Sequence, residues 1–169
     1  MLPQILPLFP KKIDQFVDLF GGGGEVSLNV NAQQVVYNDK CKPLVNIFRN
    51  LDSKFVDEVK EMIDTYKLNK FSKQEFLDLR SYYNTNLKDK LDRENAVVLY
   101  CLITHAFNYQ IAFNKNREFN MPSGASRSYF SKSLEDKLVK YIEAIDKKNI
   151  SFYLSLIHIS EPTRHSLIS

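Results

Sequence analysis

Four of this chain's five glycines stand side by side, Gly21–Gly24, and no other feature of its 169 residues constrains the fold as tightly. Before them runs Gln15–Leu19 (QFVDL), a short apolar run that reads as a buried parallel strand. After them Glu25–Asn31 reads as a short helix and Gln34–Asn38 as a second strand. Strand, glycine turn, helix and strand together form a β-loop-α-β unit, which predicts an α/β fold with parallel pairing. Glycines at a strand-to-helix turn let the backbone approach a ligand closely and adopt positive φ. Asp39 ends the second strand, where a carboxylate can accept bonds from ribose hydroxyls. The combination points to an adenosyl cofactor, either a nicotinamide dinucleotide or S-adenosylmethionine (AdoMet). A simple tight turn is the plainer alternative.

The pattern then changes. Pro43 suits the first turn of a helix running to about Leu51. From Asp52 onward the spacing is helical: Phe55, Val59, Met62, Ile63 and Tyr66 share one face. Ser72 with Glu75 reads as a capping box for a helix carrying Phe76, Leu79 and Tyr83. Asn95–Phe107 is apolar enough for a buried helix, and Ser133–Ile145 places Leu134, Leu138, Tyr141, Ile142 and Ile145 on one face. Between these helices, alternation around Lys115–Asn116 predicts a β-hairpin near 109–121. Ile150–Tyr153 reads as a returning strand. The expected organisation is an α/β unit interrupted by a mostly helical insert over 52–147 and then resumed.

Charge is modest overall at +3, but it is unevenly placed. Between Ile111 and Ser133 four cations, Lys115, Arg117, Arg127 and Lys132, face Glu118 alone. Such a local excess suits a phosphate backbone. No apolar run approaches the roughly 18 to 20 residues that span a membrane, so no membrane partner is expected. The chain's start lacks the pattern of a secretory leader. Cys41 and Cys101 lie far apart and read as buried free thiols of a reducing cytoplasm. The histidines, 105, 158 and 165, have no metal-ligand spacing, and no metal is expected.

The wording of two blocks says more. DLFGGGGEVSLNV followed by VVYNDK resembles the DNA adenine methylase (Dam, D12 class) family, especially its phage-type members, which carry a D/E-x-F-x-G-G cofactor motif and then N-D at the second strand. Ala106–Gly124, AFNYQIAFNKNREFNMPSG, resembles that family's target-recognition hairpin, R-x-N-x-x-G-x-F-x-x-P-F-G. Asn114, Phe119, Pro122 and Gly124 match the pattern, while Ala112, Arg117 and Ser123 depart from it. Arginine is the side chain best suited to bidentate reading of guanine, so Ala112 leaves the recognition sequence open. The rival nicotinamide fingerprint begins at Gly22-x-Gly24 but meets Ser27 where its third glycine belongs.

The resemblance implies a partial Rossmann-like, AdoMet-dependent methyltransferase sheet interrupted by a mostly helical target-recognition insert with a hairpin. Residues 1–51 and 148–153 would belong to the methyltransferase domain, and 52–147 would form the DNA-reading part. Asp18, Phe20, Gly21 and Gly22 would line the AdoMet pocket, and Asp39 would hold the ribose. Tyr109, Asn114, Lys115, Arg117, Asn120, Pro122 and Arg127 are the candidate contacts to double-stranded DNA. The implied reaction moves the AdoMet methyl to N6 of a flipped adenine. It would take place in the cytoplasm of a bacterial or phage-infected cell, with a cognate restriction endonuclease as a candidate partner.

Two expectations concern the ends. The family's D/N-P-P-Y/F catalytic motif is absent, because no two of the prolines 3, 7, 10, 43, 122 and 162 are adjacent. The resemblance therefore implies an incomplete, inactive and aggregation-prone fragment, clipped at its start as well. Leu154–Arg164, LSLIHISEPTR, resembles a translated sequencing-library adapter, so 154–169 is expected to stand outside the natural fold. A non-catalytic DNA-binding module and a nicotinamide-binding Rossmann fragment are the alternative functions.

Overall fold

The second strand occupies the middle of a three-stranded parallel sheet in the computed structural model of the protein, whose described residues are 2–154. The strands are β1 (Gln15–Asp18), β2 (Gln34–Asp39) and β3 (Ile150–Leu154), in the order β1-β2-β3. A short helix α1 (Leu2–Ile5) precedes β1, and α2 (Glu25–Asn29) joins β1 to β2. After β2 come α3 (Lys42–Arg49), α4 (Phe55–Thr65), α5 (Lys73–Tyr82), α6 (Arg93–His105) and α7 (Lys132–Asp146). The chain is α/β, with a small parallel sheet and a mostly helical remainder, as the alternating pattern requires.

Val35 and Tyr37 alternate along β2 and are buried on one face of the sheet. Tyr37, Phe48 of α3 and Phe152 of β3 form an aromatic triad with ring centroids 4.9 to 5.4 Å apart. Edge and offset contacts of this kind add about 0.5 to 1.5 kcal/mol per pair beyond burial. The triad is continuous with the side chains of α4, α5 and α6, so sheet and helices share one hydrophobic cluster. At its centre, Val98, Leu99, Cys101 and Leu102 of α6 are fully enclosed. Asn95 on the same helix is buried but satisfied: its amide donates to the Leu87 carbonyl at 2.8 Å and to the Tyr83 hydroxyl at 3.2 Å, and it accepts from Asn46 at 3.0 Å. A buried amide left unpaired would cost about 1 to 3 kcal/mol, so this network fixes how α3, α6 and the Tyr83–Leu87 turn meet.

Several sequence expectations need correcting. The hairpin near 109–121 is not a regular ladder. Antiparallel pairing there is limited to the isolated bridges Ala106↔Ser123 and Phe113↔Phe119. Left-handed φ at Asn108, Tyr109 and Arg117 breaks the extended run between them. Ser72 does precede α5, but its hydroxyl bonds Asn69 rather than capping the helix. α5 runs into a π-helical turn, Tyr83–Leu87, that no local pattern announces. β1 stops at Asp18, α2 at Asn29 and α3 at Arg49, each short of the predicted limit, whereas α6 and α7 start earlier. Cys101 is buried, but Cys41 is only half-buried. Leu154, assigned to the adapter-like tail, closes β3 in register with Asp39. The rest of that tail, 155–169, lies outside the described residues. No helix among the described residues is long and apolar enough to cross a membrane.

Candidate functional site

β1 and β2 run parallel with Asp18 opposite Tyr37, so their carboxyl ends, with Asp18 and Asp39, open at the same rim of the sheet. The glycine turn sits over that rim. Gly21 donates its amide to the Asn38 carbonyl at 2.8 Å, and Gly22 donates to Asp39 Oδ2 at 2.9 Å. From below, the Tyr37 hydroxyl donates to the Gly22 carbonyl at 2.8 Å. Gly21 packs closely against the Tyr37 ring, and any side chain there would overlap it. Gly22 has φ +49°, in the left-handed region that favours glycine. The Tyr37 phenol is pushed well above its ordinary pKa, first by burial and then by the nearby Asp39 and Asp18 charges. It therefore remains a protonated donor throughout the physiological range.

The two carboxylates do different work. Asp39 Oδ1 accepts the Cys41 amide at 2.7 Å, so one side chain ties the glycine turn to the start of α3. A carboxylate has about four lone-pair directions, and these two bonds leave room for further donors such as ribose hydroxyls. Asp18 turns inward: its Oδ2 accepts the buried Ser27 hydroxyl at 2.7 Å, bracing α2. Phe20 stands beside the turn and is 77% exposed, an unusual state for phenylalanine and one suited to stacking on a planar ligand.

On the helical side, the segment 106–124 leaves the end of α6 and returns to it. Gly124 donates to the His105 carbonyl at 2.8 Å, and Phe107 donates to the Pro122 carbonyl at 2.9 Å. A side chain at Gly124 would strike Ser128 and the Ala106 carbonyl. The loop is anchored at Phe119, which is buried. Asn84 of the π turn accepts the Phe119 amide at 2.8 Å and donates to its carbonyl at 3.0 Å. At the tip, Asn114 folds its own side chain inward, accepting from the Asn116 and Glu118 amides and donating to Glu118 Oε2 at 2.8 Å. Asn114 thus shapes the turn and Lys115 is exposed at its tip. Arg117 is exposed but paired with Asp89 at 2.9 Å. Asn120, Pro122 and Arg127 are also exposed, and the Tyr109 hydroxyl donates to the Arg127 carbonyl at 3.2 Å.

Residues 1–157 match the family described as D12 class N6 adenine-specific DNA methyltransferase. The chain belongs to that family. It is 43% identical over 159 residues to the Type II methyltransferase M.FokI of Planomicrobium okeanokoites, a match covering 92% of this chain and 24% of the relative. To the modification methylase StsI of Streptococcus sanguinis it is 37% identical over 156 residues, covering 90% of this chain and 23% of the relative. The modification methylase LlaI of Lactococcus lactis is 27% identical over 147 residues, 84% of this chain and 22% of the relative. The chain thus spans about a quarter of the length of these curated relatives.

Within this D12-class chain the sequence reading and the structure divide the site differently. Asp18, Asp39, Gly21, Gly22 and Phe20 come together at one rim, where Asp18 also accepts the Ser27 hydroxyl and the Phe20 amide. The supporting residues Tyr37, Ser27 and Asn84 escaped the sequence reading. Tyr37 looks like any aromatic strand residue, and Asn84 acts on a partner 35 positions away, so neither carries a local signature.

Proposed function

We propose that the chain is part of a site-specific DNA adenine-N6 methyltransferase that takes AdoMet at the glycine rim and double-stranded DNA at the 106–127 loop. The observation that carries this reading is the Asp39 carboxylate beside Gly22, at the carboxyl ends of two parallel strands. Ligands of open α/β sheets bind at such ends, and a strand-terminal acid suits ribose hydroxyls. In this proposal Asp39 holds the ribose, Gly21 and Gly22 give close backbone approach, and Phe20 packs on the cofactor. Asp18 lines the pocket beside them and accepts the Ser27 hydroxyl and the Phe20 amide. Residues 1–51 and 148–153 form the cofactor part, and 52–147 the target-recognition part.

Bound AdoMet would supply an electrophilic methyl group. The chain's own residues would bind and orient it and position the DNA, which is where most of the rate enhancement of such an in-line transfer originates. Tyr109, Asn114, Lys115, Arg117, Asn120, Pro122 and Arg127 lie on or beside the exposed loop proposed to meet the duplex. Asn114 would contribute by holding the turn. These 169 residues contain no Pro-Pro pair, so by themselves they are not expected to transfer the methyl. A cytoplasmic setting and a cognate restriction endonuclease accompany the reading.

Calorimetric titration tests it. AdoMet should bind with one-to-one stoichiometry, and NAD should not. Binding of neither AdoMet nor duplex DNA by the folded chain would overturn the proposal. DNA binding without AdoMet would favour a non-catalytic DNA-binding module.

A further inference from the structure

A cleft of about 360 Å³ lies between the end of β2 and the 106–124 loop, outside the glycine rim. Its walls carry Lys40 from the β2-α3 connection, Lys42 from the first turn of α3, Lys88 and Asp89 from the segment after the π turn, and Phe113 and Arg117 from the loop. Four cations thus face one carboxylate. Lys88 pairs with Glu118 at 3.5 Å and Arg117 with Asp89 at 2.9 Å. Lys40 and Lys42 are exposed, and neither has an ion pair among the described residues. The charge excess in the sequence pointed to 111–133 alone. Folding adds three lysines from two other segments to one end of that stretch.

We infer that this cleft seats the DNA backbone, with Lys40 and Lys42 as phosphate contacts beside the cofactor rim. This rests on the proposed reading of the chain as a DNA methyltransferase fragment and adds residues that reading did not include. The chemistry favours a polyanion. Lysines on flexible stems neutralise phosphates as point charges without selecting a base. Placement matters as well. Asp39 accepts the Cys41 amide between the two lysines and the Gly22 amide of the turn, so a strand held at Lys40 and Lys42 lies one carboxylate away from the cofactor rim.

The test is fluorescence anisotropy of a labelled DNA duplex, with the full chain, across a salt series. Each phosphate contact contributes about 0.9 to the slope of log K against log salt. The double variant Lys40→Ala, Lys42→Ala should lower that slope by about 1 to 2, equally for unrelated duplex sequences. Lys40→Arg with Lys42→Arg should keep the wild-type slope. Removing the same charge elsewhere, at Lys137 and Lys140 on α7, should leave it unchanged. If the alanine variant, folded by circular dichroism, keeps the wild-type slope while the wild type binds the duplex, the cleft assignment is wrong and the methyltransferase reading stands. A slope lost equally in the α7 control also overturns the assignment. A wild-type chain that ignores duplex DNA but binds AdoMet overturns the cleft and the proposed DNA contact of the 106–127 loop while the AdoMet site stands, and one that binds neither overturns the whole reading.

Discussion

The Asp39 carboxylate accepts the backbone amide of Gly22 at 2.9 Å, joining positions 17 residues apart at the carboxyl ends of neighbouring parallel strands. Because the other oxygen of Asp39 holds the Cys41 amide, the side chain sets both the glycine turn and the start of α3. Hydrogen bonds to a charged group contribute about 1.5 to 3 kcal/mol each. Asp39→Ala should therefore weaken AdoMet binding roughly tenfold to a hundredfold. Calorimetry on the folded variant checks this, and an unchanged affinity would separate Asp39 from the cofactor.

Gly21 and Gly23 should respond differently to a methyl group. Alanine at Gly21 would run into the Tyr37 ring, whereas Gly23 has open space around it. Overpacking of this kind costs about 1 to 3 kcal/mol. Gly21→Ala should lower the thermal midpoint clearly, and Gly23→Ala should leave it nearly unchanged. Equal effects in a melting experiment would remove the close approach of Gly21 and Tyr37 as the reason for a glycine there.

Asn84 should matter to the 106–124 loop although it is remote from the loop in sequence. Its amide satisfies both backbone groups of buried Phe119. Leaving them unpaired costs about 1 to 3 kcal/mol. Asn84→Ala should speed hydrogen exchange at the Phe119 amide and loosen 113–119, with exchange on β2 unaltered. Protection that persists at Phe119 would show that the loop is held by its own contacts.

Asp89 faces Arg117 across an exposed pair. Such pairs contribute about 0 to 1 kcal/mol to stability, so Asp89→Asn should leave folding almost untouched. It frees Arg117 for a phosphate, and the salt slope of duplex binding should steepen by about 0.9. A slope that stays the same would mean that Arg117 makes no backbone contact.

Acid should destabilise the chain partly through His105. Its Nδ1–H donates to the Cys101 carbonyl at 2.9 Å, and Nε2 is buried without a partner. Burial lowers its pKa below the ordinary histidine value, outweighing the Cys101 contact, which raises it. The unfolded chain then binds the proton more readily than the folded one. Its stabilising contribution is complete above the unfolded value, about 6.5, and is lost as pH falls toward the folded value. Asp52, whose pKa is lowered chiefly by its hydrogen bond to Arg93, loses stability in the same direction at lower pH. Chemical denaturation between pH 7 and 5 should show falling stability in the wild type and a flatter profile in His105→Gln. Identical profiles would place the acid sensitivity elsewhere.

The β-loop-α-β unit, the glycine turn, Asp39, the helical faces of α4 and α7 and the apolar run of α6 were legible in sequence, because each depends on residue type and spacing within one short segment. Strand alternation, apolar helix faces and a glycine cluster are local causes of local structure. The 106–124 segment was legible as a motif but not as a shape. Its left-handed residues and its anchoring by Asn84 replaced the regular hairpin that alternation suggested. The π turn and the inward use of Asp18 and Ser72 likewise depended on partners set by packing.

The sequence by itself therefore determined which residues form the glycine turn and the order of the elements around it. Only the tertiary structure decided that Tyr37 lies beneath Gly21, that Asp89 covers Arg117, and that Lys40, Lys42 and Lys88 converge on one cleft. The physical reason is reach. Propensity and periodicity act over a few residues, whereas side-chain hydrogen bonds and charge clusters form between segments that only the closed hydrophobic core brings within a few ångströms.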